Sequence, residues 1–316
     1  MKLFLTYNQS AKSYERFKGY EFNRFKDACD HAGVECHQFD PGCFPTVDED
    51  SSDICAVNMS GSMNESHYRF LRTLEIKGAK LLNSANGSKT AEEKMLSNLE
   101  MAHYGLPVPK TIDLNLSHTN FNMEYLVKNI LNNVGMPCVI KSPNGNNGNA
   151  VVKVENENNL VDLLGLLGWT SVRYGDFFST SNLMVQEFIS STQGKVIRLV
   201  FLDNEVLGCE LKTNPNFWKP QSPFVYNSEN NIIVDQGKYI PESGYKREKT
   251  AASAEMIELA KKVSDLFKLN FFGLDLLFGP SGYIICEVNT SPQLEGFEKS
   301  TDINVAEKIL QFLQSK

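Results

Sequence analysis

No apolar run in the 316 residues reaches the length of a membrane span, and Met1-Lys-Leu-Phe-Leu-Thr-Tyr7 is too short for the apolar core of a signal peptide. The expected location is therefore cytoplasmic, and the Asn-X-Ser/Thr triplets carry no weight there. Basic residues are in deficit: 31 Lys and Arg against 38 Asp and Glu leave a net charge of −7. That balance argues against nucleic-acid or anionic-membrane partners, which are met by broad basic patches, so any phosphate site must be local. There is no Cys-x-x-Cys pair, and seven cysteines, an odd number, fit a reducing compartment better than a disulfide framework. Cys29, Cys36 and Cys43 recur every seven residues but fall on helix, strand and loop, which disfavours zinc. Histidine is scarce too, with five scattered copies, and the chemistry must rest on other side chains.

What is present is an ordinary globular composition, 41% hydrophobic and 22% charged, in a length that suggests two or three compact units. Lys2 to Tyr7, Val34 to Phe39, Asp53 to Met59 and Ala79 to Asn83 read as strands. They alternate with helices over Glu15 to Ala32 and through Tyr68 to Ile76, the pattern of an α/β unit with a largely parallel sheet. Asn86-Gly-Ser-Lys-Thr90 is not a P-loop, because serine separates Gly87 from Lys89. Thr90-Ala-Glu-Glu93 has the form of a capping box opening a helix to His103, with Lys94 on its first turn. Met136 to Lys141 is a strand, followed by the Gly/Asn-rich loop Ser142 to Asn149, whose backbone N–H groups can fold over anions. Leu183 to Ile189 is another strand, and Gly194 to Lys212 a hairpin turning at Asp203-Asn204. Ser253 to Leu269 and Asn304 to Gln314 are amphipathic helices. Cys138, Cys209 and Cys286 sit in strand-like runs and read as core.

The chain is organised around Phe271 to Phe297. Two apolar runs flank Gly279-Pro-Ser-Gly282, a turn cluster, and read as a β-hairpin. Alternation puts Leu274, Leu276, Phe278, Ile284, Cys286 and Val288 on an apolar face, and Asp275, Glu287 and Asn289 on the other, with Asp275 opposite Glu287. Facing carboxylates repel unless a cation lies between them, and Glu287 and Asn289 at i, i+2 offer hard oxygen donors suited to Mg²⁺ or Mn²⁺. Ser291-Pro292 then ends the strand.

Gly273-Leu-Asp275 and the run Glu287-Val-Asn-Thr-Ser-Pro-Gln-Leu-Glu-Gly-Phe-Glu-Lys-Ser-Thr-Asp-Ile303 resemble the C-terminal metal and phosphate motif of the ATP-grasp ligases, in particular the RimK-like glutamate ligases. Shorter matches at Lys94, Pro137 to Gly148 and Val185 to Arg198 follow in the family's order. The resemblance implies an ATP-grasp fold of the α/β (α+β) class. Its parts would be an N-terminal pre-ATP-grasp domain over 1–90, a helix and small lobe over 91–188 with a phosphate lid at 142–149, and a C-terminal lobe with the metal site over 189–316. It further implies ATP-dependent carboxylate–amine ligation through an acyl phosphate, with ADP and phosphate released.

By the same resemblance Asp275, Glu287 and Asn289 hold Mg²⁺ or Mn²⁺, two ions in all, while Lys94, Lys141 and Lys212 contact the nucleotide. Gln186, Glu187, Phe188 and Ile189 form the hinge beside the adenine, and Arg198 lies near the transferred phosphoryl group. The partners are ATP, a carboxylate and an amine, with no nucleic acid and no membrane; a homo-oligomer stays open. Val196 stands where family members carry an acid, and the Arg-Ser-Asn and His-Arg-Gly-Gly elements of the bacterial ribosomal-protein ligase are not legible in Thr213 to Gly237, although Phe217-Trp-Lys219 offers a substitute cation. The second substrate is therefore open. Two other readings also stay open, an ATP-grasp small-molecule kinase and a non-catalytic nucleotide-binding protein.

Overall fold

The computed structural model describes residues 1–7, 17–41, 51–60, 63–114, 122–143, 151–174, 183–213 and 246–315. Most of the expected phosphate lid, and Phe217 to Lys219, lie outside the described residues. The first sheet is wholly parallel, in the order β2-β1-β3-β4, from β1 (Lys2–Thr6), β2 (Glu35–Phe39), β3 (Ile54–Asn58) and β4 (Lys80–Leu82). Helices α1 (Asn23–Ala32) and α2 (Glu65–Ile76) connect its strands, as the alternating pattern predicts. Gly33 ends α1 in a left-handed conformation, φ 65°.

The single helix expected from Thr90 is two. Ser84 Oγ accepts the Gly87 N–H at 3.1 Å and starts α3 (Ala85–Glu92), so Thr90 lies inside a helix instead of capping one. The chain leaves helical geometry at Glu93, whose carboxylate accepts the Leu96 N–H at 2.5 Å and starts α4 (Lys94–His103). The boundary expected at 90/91 thus falls within α3. Lys94 is the first residue of α4, so it keeps its expected place on a first helical turn although the cap is Glu93 and not Thr90.

A four-stranded sheet follows, in the order β5-β8-β6-β7, from β5 (Thr111–Leu114), β6 (Cys138–Lys141), β7 (Val152–Val154) and β8 (Leu183–Glu187). It is backed by α5 (Met123–Asn133) and α6 (Glu157–Tyr174), and its core of Val127, Ile130, Ile140, Leu160, Leu164 and Val185 draws only on this segment. The third sheet is antiparallel, in the order β11-β10-β9-β12-β13, from β9 (Lys195–Leu202), β10 (Glu205–Thr213), β11 (Lys246–Thr250), β12 (Phe271–Phe278) and β13 (Tyr283–Asn289). Asp203 and Asn204, at φ 47° and 67°, make the expected two-residue turn between β9 and β10. One face of this sheet packs on α7 (Ala254–Phe267) through Leu199, Phe201, Leu274, Leu276 and Ile285. Part of the other shares a core with the first sheet, in which Leu3, Leu5 and Val57 meet Val200, Leu202 and Phe271, together with α8 (Leu294–Thr301) and α9 (Val305–Ser315).

Two polar joints reinforce that shared core. Asn83, at the end of β4, accepts the Asn270 and Phe271 N–H groups at 2.8 and 2.7 Å and donates to the Phe271 carbonyl at 2.5 Å, standing in for a strand neighbour at the start of β12. Glu298 on α8 accepts from the Tyr20 hydroxyl, Arg24 Nε and the Val305 N–H at 2.8, 2.9 and 2.8 Å. Among the described residues no helix is long and apolar enough to cross a membrane.

Candidate active site

The expected hairpin is present, and Asp275 pairs directly with Glu287 across β12 and β13. A bulge follows, so that Leu276 pairs with Ile285 and the register shifts by one residue around Cys286. That shift corrects the expected apolar face. Ile285, fully buried, joins Leu274, Leu276 and Val288, whereas Ile284 and Cys286 are only half-buried. Cys286 is thus not core filler there. Burial pushes its thiol up to about 11.

Arg198 of β9 pairs with Asp275 on one side and Glu210 of β10 on the other. One row therefore crosses the whole sheet: Lys249, Glu210, Arg198, Asp275, Glu287. Directly paired residues point to one face, and the signs alternate until the last two. Arg198 relieves the repulsion there. Its Nε and Nη2 donate to the two oxygens of Asp275 at 2.6 and 2.5 Å, and Nη2 lies 3.9 Å from Glu287 Oε1. Burial disfavours both charges, but the pairing outweighs it, holding Arg198 above its ordinary range and Asp275, also near Lys212, below its own.

Of the other expected site residues, Lys94 and Lys212 reach this row, while Lys141 and Gln186 to Ile189 make their contacts with the four-stranded sheet and its neighbours. Lys94 Nζ stands 4.0 Å from Glu287 Oε2. Lys141, buried at the end of β6, donates to Gln186 Oε1 at 2.9 Å, and Gln186 Nε2 donates to Thr111 Oγ1 at 3.0 Å. Gln186, Glu187, Phe188 and Ile189 occupy the passage from the four-stranded to the five-stranded sheet. Glu187 accepts the Lys110 N–H at 3.3 Å, and the Phe188 ring carries Lys153 Nζ 4.2 Å from its centroid. Lys212 is buried on β10 with its Nζ 3.7 Å from Glu210 Oε1; burial and the nearby Arg198 charge lower it to about 8. Asn289 is half-buried and its Oδ1 accepts the Ser291 N–H at 3.1 Å.

Asp275, Glu287 and Asn289 suit a small hard cation. Arg198 occupies one lone pair on each Asp275 oxygen, which leaves further acceptor sites on both carboxylates. Among the described residues no three His, Cys, Asp or Glu side chains gather as a metal cluster.

Two residues here were not anticipated. Glu210 is fully buried, accepts from Arg247 Nη1 at 3.1 Å and from Ser300 Oγ at 2.6 Å, and so brings in β11 and α8. Glu92, at the end of α3, accepts from the Thr290 hydroxyl through one oxygen, while its buried Oε2 has no hydrogen-bond partner among the described residues. Burial pushes this carboxyl up to about 7 from an ordinary 4.5. The native state then keeps a proton that the unfolded chain releases between those values, so stability falls as pH rises through that window. Glu92→Gln should therefore match the parent in melting temperature near pH 5 and exceed it at pH 8 by an amount worth roughly 2 kcal/mol. An equal difference at both pH values, followed by scanning calorimetry, would show that the carboxyl does not titrate with folding.

A sequence model of the RimK-like ATP-grasp domain matches residues 91–217 and 241–313. A probable alpha-L-glutamate ligase of Maridesulfovibrio salexigens is 24% identical over 308 residues, covering 93% of this chain and 91% of that protein. N-acetylaspartylglutamate synthase A of Mus musculus is 24% identical over 287 residues, 90% of this chain and 66% of that protein. The structure of the ATP-grasp ligase PsnB complexed with minimal precursor, Mg and ADP superposes with a TM-score of 0.64 at 16% identity, covering 99% of this chain and 97% of PsnB.

Proposed function

This chain belongs to the RimK-like ATP-grasp family, and from that membership we propose that its charged row carries ATP-dependent carboxylate–amine ligation. The observation that bears most weight is the Arg198 guanidinium, bidentate on Asp275 and 3.9 Å from Glu287, with Lys94 of α4 at 4.0 Å from the other Glu287 oxygen. Four groups would act on the nucleotide. Lys94, Lys141 and Lys212 neutralise phosphate oxygens, and Arg198, a planar cation held in place by Asp275, faces the charge that develops on the γ-phosphoryl group. Asp275, Glu287 and Asn289 would hold Mg²⁺, with two ions as our reading, supplying charge neutralisation of the β- and γ-phosphates. Gln186 to Ile189 would lie against the adenine.

The reaction breaks the bond between the γ-phosphorus and the β–γ bridging oxygen and forms one to a substrate carboxylate oxygen, giving ADP and an acyl phosphate. The amine nitrogen then attacks the acyl carbon, phosphate leaves and the nitrogen loses a proton. No side-chain nucleophile is needed. The glutamate ligase and N-acetylaspartylglutamate synthase relatives suggest glutamate as the amine and an acidic peptide or N-acylated acidic amino acid as the acid.

An acyl phosphate is a mixed anhydride, and a small strong nucleophile intercepts it. With ATP, Mg²⁺ and an N-acylated acidic amino acid or glutamate-ended peptide, hydroxylamine should yield a hydroxamate together with ADP and phosphate. A phosphorylated product stable to hydroxylamine would instead make the chain a kinase, and ATP binding without ADP formation across the acids would leave a nucleotide-binding protein.

A further inference from the structure

The first sheet carries a pair of thiols that the nucleotide chemistry leaves unused. Cys29 sits on the last turn of α1 and is fully buried, and Cys36 is the second residue of β2, half-buried on the edge strand of the sheet. Six residues separate them in sequence, and the turn at Gly33 folds that distance away. The Val34 N–H donates to the Cys29 carbonyl at 2.9 Å, so β2 starts alongside the helix end that the chain has just left. The two side chains meet there, and the Cys36 S–H donates to the Cys29 sulfur. That bond favours the Cys29 thiolate and lowers the Cys29 thiol, while the same bond and then burial raise Cys36.

A cysteine kept only for packing needs no polar partner, since a buried thiol behaves as a small apolar side chain. Here two of them are aimed at each other from a helix and a strand, which is what separates a pair that can be bridged from two that are merely near. Both belong to the core shared with α9, Cys29 inside it and Cys36 packed against it. The other thiol of this row is out of reach of Cys36. Leu3 pairs with Cys36 on one side and with Cys55 on the other, which sets those two cysteines two strands and about 9–10 Å apart, beyond the roughly 7 Å that a disulfide spans between Cα atoms.

We propose that Cys29 and Cys36 form a reversible dithiol and disulfide couple, oxidised by a small peroxide, which clips the end of α1 to β2. The couple stands apart from the ligase reading and needs neither nucleotide nor metal. Peroxide meets Cys36 first, because Cys29 is closed to solvent. The Cys36 sulfur attacks one peroxide oxygen, the O–O bond breaks, and the thiol proton leaves with the other oxygen as water, giving a sulfenic acid. The Cys29 sulfur then attacks the Cys36 sulfur. The S–S bond forms, the S–O bond breaks, and the hydroxyl departs with the Cys29 proton as a second water. Each sulfur gives up one electron, and the peroxide is reduced to two waters. Contact between the thiols makes the second step intramolecular, so the sulfenic acid is captured before further oxidation. A dithiol reductant reverses the bridge by thiol exchange.

The full chain is reduced, freed of reductant and treated in its native state with hydrogen peroxide, and its thiols are counted after quenching and unfolding. The count should fall from seven to five at least about tenfold faster than it falls further, and dithiothreitol should return it to seven. Cleavage after Phe25, Glu35 and Phe39 puts Cys29, Cys36 and Cys43 in separate peptides, so mass mapping should find segment 26–35 linked to segment 36–39. Cys36→Ser should keep all six of its thiols through the dose that takes the parent to five. Cys29→Ser should behave alike, and the half-buried Cys36→Ser decides alone if the buried change prevents folding. Cys43→Ser and Cys55→Ser should still lose two thiols. A bridge from either residue to Cys43 or Cys55, or loss of two thiols by Cys36→Ser, would overturn the couple. So would a parent chain whose seven thiols decline together at one rate.

Discussion

Glu287→Gln should lower ATP turnover at least about a thousandfold while the metal-free melting temperature moves by no more than about 2 °C. The two halves of this result have separate causes. The substitution keeps size and shape but removes the charge of one of only two acids in the candidate donor set, and an amide is a poor substitute for a carboxylate toward a divalent cation. Folding loses little, since Glu287 is about a third exposed and its nearest cations, Arg198 and Lys94, stand at 3.9 and 4.0 Å, beyond hydrogen-bond reach. Pairs of that kind contribute about 0–1 kcal/mol. Loss of a charge facing Asp275 works in the stabilising direction. The measurement is ADP release beside scanning calorimetry in chelator. A structural acid would give the opposite pattern, with lowered stability and activity per folded molecule intact, and normal turnover would remove Glu287 from the metal site.

Arg198→Met should unfold the chain more easily in chelator, by about 3–5 kcal/mol, and abolish turnover as well. Without the guanidinium, Asp275 is a buried carboxylate beside a second acid with its close partner gone. Such a charge is far costlier than the neutral pair it came from. The same reasoning gives a second readout: a divalent cation can take the place of the lost guanidinium, so Mg²⁺ should raise the melting temperature of Arg198→Met by more than it raises that of the parent. Equal Mg²⁺ effects on the two chains would mean that the ion binds away from these carboxylates.

How much of this was legible beforehand turns on two bulges. The hairpin, its turn and the facing of Asp275 and Glu287 follow from local pattern, because the turn cluster and flanking apolar runs are contiguous. The apolar face of β13 did not follow, because the extra residue at Cys286 reverses the alternation that period 2 assumes. The same device hides Glu210. Counting back evenly from the Asp203-Asn204 turn sets Cys209 opposite Arg198, and it is the shift between Val206 and Gly208 that brings Glu210 there instead. A bulge carries no residue signature of its own in either strand. Lys94, Lys141 and Arg198 were found through motif order, but what they touch depends on strands far apart in the chain. Arg198 and Asp275 are 77 residues apart, and the pairing of β9 with β12 is a property of the sheet rather than of either segment. The divided helix at Glu93 is a simpler matter, since glutamate is not among the residues preferred at an N-cap, although Glu93 serves as one, and Thr90 was the more conspicuous candidate.

The motif run Glu298-Lys-Ser-Thr301 stands out in the sequence as a mark of chemistry, yet Glu298 spends its hydrogen bonds holding Tyr20 and Arg24 of the first ninety residues against α8. Asn83 does the same for β12, and the core between them mixes Leu3, Leu5 and Val57 with Phe271 and Leu310. The match to the family's domain begins at residue 91, but a cut there would split α3 and strip an apolar wall from β12. For anyone dissecting this protein, the piece to isolate is the one with a core of its own, between Thr111 and Glu187, and the rest has to be made as one body. Opening and closing around a nucleotide would then be borne by that piece alone, swinging on the two strands of chain at Leu106 to Lys110 and Phe188 to Ile189.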